Sequence, residues 1–266
     1  MYNLIGIEWL KLKRYRTFWV LIGLFVVLLP LWNYEITNGL IKLGGGSGHN
    51  SINILSIAYS FPNVWGNVGF WASLFIWFLS ILVIIVTTNE YTYRTNRQNV
   101  IDGWGRLQFF HGKVLLVVGL SIAVTLYFFI LGALFGYGTS GSFNGLFVES
   151  ERIFHFFVLS LNYLGFALFI ALWIKRSGLA IGLFLLYAMI IENILKAAIN
   201  HYSDKPYGNL LMLQSSDELF PFPLTQMAKA FFPSDSISTT TYMLVALGWC
   251  AVFYVAGRTM LLRRDW

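Results

Sequence analysis

Residues 69–88 read GFWASLFIWFLSILVIIVTT, a run with no charged side chain. At about 1.5 Å per residue such a helix covers about 30 Å, the thickness of a bilayer's hydrocarbon core. Apolar segments of the same kind recur at about 18–33, 114–136, 153–174, 178–198 and 242–262. The first is short, but Arg16 and Thr17 can lie among the headgroups with their side chains extended to water. Of the 266 residues, 57% are hydrophobic and 11% charged, where a soluble domain carries about 25% charged. Mean hydropathy is +0.66. Buried helices of a soluble protein would give apolar runs of about 10–14 residues, not runs near 20. The expectation is an all-α membrane protein: six transmembrane helices forming one domain over residues 1–266.

Charge placement orients the spans. With the N-terminus, the second and fourth connections and the C-terminus on one side, that side holds thirteen of the eighteen Lys and Arg. They run from Lys11, Lys13, Arg14 and Arg16 through Lys175 and Arg176 to Arg258, Arg263 and Arg264. Its acids are Glu8, Glu90, Asp102 and Asp265. Basic residues concentrate in the cytoplasm, so both termini are expected to be cytoplasmic. The net charge of +6 is then a topology signal. It is split among short connections, which argues against nucleic acid as a partner. The basic start and first apolar run resemble a secretory signal. Pro30-Leu31-Trp32-Asn33-Tyr34 offers no small-x-small cleavage site, so an uncleaved first span is expected.

The connections differ in kind. In residues 1–17, Ile5, Trp9 and Leu12 recur at helical spacing, with Glu8, Lys11, Lys13 and Arg14 mostly elsewhere around the axis. This predicts an amphipathic helix lying at the inner membrane surface. Residues 89–113 are too long for a turn and too polar for the bilayer. Val100-Ile101 followed by Asp102-Gly103 suggests a short helix and a turn, with a second helix returning after Gly105 into span three. On the outer side, Phe61-Pro62-Asn63-Val64-Trp65 reads as an interfacial aromatic anchor. Residues 199–241 contain Phe220-Pro221-Phe222-Pro223 and an apolar 227–232 stretch, so this connection is a candidate re-entrant segment.

No nucleotide-binding loop of the form G-x-x-x-x-G-K-[ST] occurs; Gly105 to Gly112-Lys113 has the wrong spacing. Gly138-Thr139-Ser140-Gly141 looks like a serine-nucleophile motif, but no later span brings a histidine to it, and a glycine-rich turn is expected. His49, His111, His155 and His201 are scattered, and the single Cys250 lies in the last span, so no metal site or intrachain disulfide is expected. Polar residues inside spans attract a functional reading because they are costly there. Asn162, Glu192 and Asn193 form a candidate substrate path. The alternative is structural: interhelical hydrogen bonds, and a Glu192–Lys196 pair one helical turn apart.

The 89–113 connection also carries a family resemblance. Glu90-x-x-x-Arg94-Thr95, then Arg97-Gln98-Asn99-Val100-Ile101-Asp102-Gly103, then Arg106 and Lys113, resemble the cytoplasmic loop of type-two permeases of ATP-binding-cassette exporters, in a Bacteroidetes-like variant. Arg94 stands where many members carry glycine. Glu8-x-x-Lys11 before span one resembles that family's entry helix, and Arg264-Asp265 its terminal Arg-Asp. The resemblance implies a permease of the bacterial inner membrane that exports hydrophobic or amphipathic substrates. It implies a cytoplasmic coupling helix docked into a separate ATPase, with Glu90, Arg94, Thr95, Arg97, Asn99, Ile101, Asp102 and Arg106 in the coupling role. ATP and Mg would then sit on that partner, with no cofactor on this chain. A second permease copy or paralogue, and membrane lipid, complete the implied partners. Other readings are a non-transporting subunit of an ATPase-driven machine for self-immunity, motility or extraction, and a stand-alone channel. A membrane enzyme lacks a catalytic constellation.

Overall fold

The computed structural model describes residues 2–38, 59–93, 105–203, 205–222 and 237–263, with the side chains of 2–5 and 7 left out. Among the described residues all regular structure is helical, with no strand. A short helix α1 (Tyr2–Lys13) precedes five long helices: α2 (Arg16–Thr37), α3 (Val64–Thr92), α4 (Arg106–Ser140), α5 (Glu151–Ile174) and α6 (Ser177–Tyr202). A 3-10 turn at Tyr207–Leu210 and a one-turn helix α7 (Gln214–Asp217) follow, and α8 (Thr239–Arg263) ends the described chain. The six long helices, α2 to α6 and α8, are each long and apolar enough to cross a membrane. They coincide with the expected spans and outrun most of their ends, because helices continue through the headgroup region where polar side chains replace apolar ones.

Burial ranks the spans. In the most apolar stretch of α5, 67% of residues are buried, and in α3, 56%; the other four lie between 22% and 33%. So α5 and α3 form the centre and the other four helices present broad exposed faces. The sequence allows this because Ala167 and Ala171 of α5 are small enough for neighbouring backbones to approach. Gly132 of α4 serves the same end: a Cβ there would run into the ring of Trp65. Trp65 is fully buried, stacks on Phe129 at 5.8 Å and donates Nε1 to the Leu146 carbonyl at 3.2 Å. This corrects its reading as a headgroup anchor. Its indole N–H finds a partner inside the protein, so it need not seek water.

Two spans depart from regular helix. Pro30 interrupts the hydrogen-bond ladder of α2. In α6, Tyr187–Ile191 forms a π turn immediately before Glu192, a distortion common where a helix must present a particular side chain. The Gly138–Gly141 stretch is the end of α4. Thr139 donates Oγ1 to the Tyr59 carbonyl at 2.6 Å, and Gly141 closes the helix with φ of +66°. That left-handed conformation is easiest for glycine.

Candidate functional site

A charge cluster joins three elements at the α1 face of the bundle. Lys113, fully buried one turn or two into α4, donates Nζ to Glu8 of α1 at 2.8 Å and to Glu90 of α3 at 2.6 Å. Lys11 closes the set, 3.2 Å from Glu90 and 3.7 Å from Glu8. Two acids and two bases leave no net charge, which is what a dry site requires. Next to it, Asn89 donates to the Tyr15 hydroxyl at 2.7 Å, and Arg106 reaches the Leu262 carbonyl at 3.4 Å.

One charged residue of α1 sits apart from the others. Glu8 is buried together with Leu12, and Trp9 is 49% exposed. An isolated helix would turn the glutamate outward; Lys113 draws it inward. The consequence for position is simple. Glu90 is near the end of α3 and Lys113 near the start of α4, so α1 is tied to both roots of the connection between them. Of the residues carrying the family resemblance, Glu90 and Arg106 stand at those roots. Arg94, Thr95, Arg97, Asn99, Ile101 and Asp102, with the expected short helix, lie outside the described residues.

A second polar site occupies the opposite half of the bundle. Residues 205–222 fold back against α5, whose Asn162 and Tyr163 are about eleven residues, or about 17 Å, from the near end of that helix. Asn162 donates to the Met212 carbonyl at 2.8 Å. Glu192 accepts the backbone N–H groups of Leu213 and Gln214 at 2.6 and 3.3 Å, capping α7 with a carboxylate from another helix. Asn193 accepts from the Gln214 amide at 3.2 Å. Phe220 seals the segment against α3, where its ring fills the space a Cβ on Gly69 would need.

The expected Glu192–Lys196 pair is absent among the described ion pairs. Lys196 instead bonds Glu218 at 2.7 Å and Gln214 at 2.8 Å. The returning segment offers both side chains better partners than they offer each other. Of the three candidate path residues, Asn193 lines a cavity of about 570 Å³ between α3, α6 and the returning segment. Asn162 and Glu192, both fully buried, hold that segment in place. The cavity's polar wall also includes Tyr163, Lys196, Asp217 and Glu218, and its aromatic wall Phe70, Trp77 and Phe220. Tyr163 donates its hydroxyl to Asp217 at 2.8 Å, and burial pushes the Asp217 carboxyl up to about 7. Sequence reading missed Tyr163, Asp217 and Glu218. Among the described residues no three His, Cys, Asp or Glu come together as a metal site would need.

Six apolar helices, a charge cluster at the α1 face and a polar segment returning into the bundle define a polytopic membrane protein. A family model described as ABC-2 family transporter protein matches residues 4–191. The chain belongs to that family and is a permease-type membrane component of ATP-binding-cassette transport. A comparison with curated proteins found no match.

Proposed function

We propose that this chain is the transmembrane subunit of an ATP-binding-cassette exporter, moving a hydrophobic or amphipathic substrate outward. A separate chain binds and hydrolyses ATP, since this one has no phosphate-binding loop. Two permeases, identical or paralogous, face each other in the bacterial inner membrane with their termini in the cytoplasm. The observation that carries the reading is the Glu8–Lys11–Glu90–Lys113 cluster. It welds both roots of the 94–104 connection to α1, so a partner that moves this connection moves α1, α3 and α4 together. Such a lever drives transport only if the partner's contacts differ between its two states. The cavity beside Asn193 is the candidate substrate path, with aromatic surface for an apolar body and polar groups for orientation.

The test is co-purification with the cognate ATPase, followed by ATP turnover with Arg106→Ala and Glu90→Gln. Both variants are expected to insert and to lose most of the coupled turnover. Arg106 is exposed, so its loss is expected to cost little stability. Normal coupled turnover in both variants would remove the coupling role. Turnover with no solute movement across a reconstituted bilayer would favour a non-transporting extraction or immunity subunit.

A further inference from the structure

Between α1, α2 and α4 lies a groove of about 380 Å³ that the transport reading does not use. Trp9 and Leu12 roof it, Trp19 and Ile22 form one wall, and Gly119 and Ala123 form the other. Glu8 is the one ionisable group in the lining, and Lys113 and Lys11 already neutralise it. The groove closes in the middle of the bundle, where Tyr127 of α4 bonds the Val26 carbonyl of α2. From there it opens toward the α1 face. Along α4 it runs from Gly112 to Ala123, about 16 Å at helical rise. One leaflet's share of the hydrocarbon core is about 15 Å.

The rim of the groove is cationic. Lys13, Arg14 and Arg16 stand exposed at the corner between α1 and α2, and none pairs with an acid among the described residues. Groove and rim are continuous, because Trp19 in the wall donates Nε1 to the Lys13 carbonyl at 3.0 Å. Trp9 and Trp19, each about half exposed, sit where indoles favour the headgroup boundary. A one-leaflet apolar slot beside three cations that pair with no acid among the described residues matches an anionic lipid in shape and charge.

We propose that this groove holds the acyl chain of an anionic phospholipid from the leaflet on the α1 side, its headgroup on Lys13, Arg14 and Arg16. The site is independent of the exporter reading and needs no ATPase. The lipid fills the space under α1, so it supports the helix that the charge cluster ties to α3 and α4.

The test is native mass spectrometry of the detergent-solubilised chain titrated with phosphatidylglycerol or phosphatidylethanolamine of matched acyl chains. The wild type is expected to keep one phosphatidylglycerol per chain, with phosphatidylethanolamine at least about tenfold weaker. Roughly fivefold in affinity per basic residue would give about a hundredfold for all three, so tenfold is the floor of the expectation. Gly119→Leu adds bulk where nothing lies within 4 Å of a Cβ, so it plugs the slot without a clash. It is expected to abolish retention, while Gly182→Leu, at an equally open glycine of α6, leaves it intact. The triple variant Lys13→Gln, Arg14→Gln, Arg16→Gln is expected to bring phosphatidylglycerol down to the level of phosphatidylethanolamine. Equal retention of the two lipids by the wild type would overturn the proposal, and so would undiminished retention in Gly119→Leu. A change of oligomeric state in Gly119→Leu without any lipid difference would make the groove a contact between copies of the chain instead.

Discussion

Tyr127 on α4 donates its hydroxyl to the Val26 carbonyl of α2 at 2.6 Å, and that carbonyl is the one Pro30 leaves without a helical partner. In an uninterrupted helix the N–H of residue 30 would bond residue 26. Proline has no N–H to give. In a bilayer no water takes its place, so another protein group must. A tyrosine from a neighbouring span does so, and the repair also fixes α2 against α4.

Tyr127→Phe is therefore expected to destabilise the protein by about 1 kcal/mol, between the average of roughly 0.6 and the maximum of roughly 1.7 for hydrogen bonds between membrane helices. Pro30→Ala restores an N–H at position 30. In that background Tyr127→Phe is expected to cost almost nothing, since the Val26 carbonyl regains its own helix. Denaturant unfolding of the four proteins in detergent gives the coupling directly. Equal losses in both backgrounds would show that the hydroxyl is not replacing the proline's missing donor.

Lys113 sits between two carboxylates with no access to solvent. Lys113→Met leaves Glu8 and Glu90 facing each other, with the partly exposed Lys11 as the cation of the described cluster that remains. The expected loss is about 3–5 kcal/mol, the usual consequence of stranding a buried charge. It should be accompanied by release of α1, seen as faster proteolysis near residue 14. Combining Lys113→Met with Glu8→Gln and Glu90→Gln removes the stranded charges and is expected to recover most of the stability. If Lys113→Met alone is as stable as the wild type, the cluster does not hold α1.

The spans were legible because length and hydropathy are local properties, and residues 69–88 carry theirs without help from any other segment. The charge cluster was not, because Glu8 and Lys113 are far apart in sequence and each alone reads as a cationic or polar flank. Glu192 and Lys196 misled for the opposite reason. Their helical spacing suggested a local pair, and the partners that won came from residues 213–218. That segment itself reads as a loop, since Gln214-Ser215-Ser216-Asp217 is polar and short. Its helix exists because Glu192 caps it from outside. The π turn before Glu192 has no signature in Tyr187–Ile191, where every residue suits ordinary helix.

Glu192→Ala orphans the Leu213 and Gln214 N–H groups and is expected to cost about 1–3 kcal/mol. Glu192→Gln keeps an oxygen acceptor and should retain most of the stability. The returning segment is the part that loosens, so a cysteine placed at Met212 in a Cys250→Ser background should react with a water-soluble maleimide faster in Glu192→Ala. Unchanged labelling and unfolding in Glu192→Ala would mean that Asn162 and Phe220 hold the segment without it.

Asp217 gives the returning segment a dependence on pH whose sign is fixed. Burial raises its carboxyl to about 7, with Glu218 adding to the rise and the Tyr163 hydroxyl and Lys196 opposing it. The unfolded chain releases the same proton near 3.8. Between those values the native state binds the extra proton, so the contribution is full below about pH 4, declines as pH rises and is gone above about 7. Asp217→Asn keeps the hydrogen bond from Tyr163 and has nothing to titrate. Measured by thermal unfolding in detergent between pH 4 and 8, the wild type is expected to lose stability relative to Asp217→Asn up to neutrality and to run parallel to it beyond. Parallel curves over the whole range would mean that Asp217 keeps its charge in the folded protein, with Lys196 and Tyr163 outweighing burial.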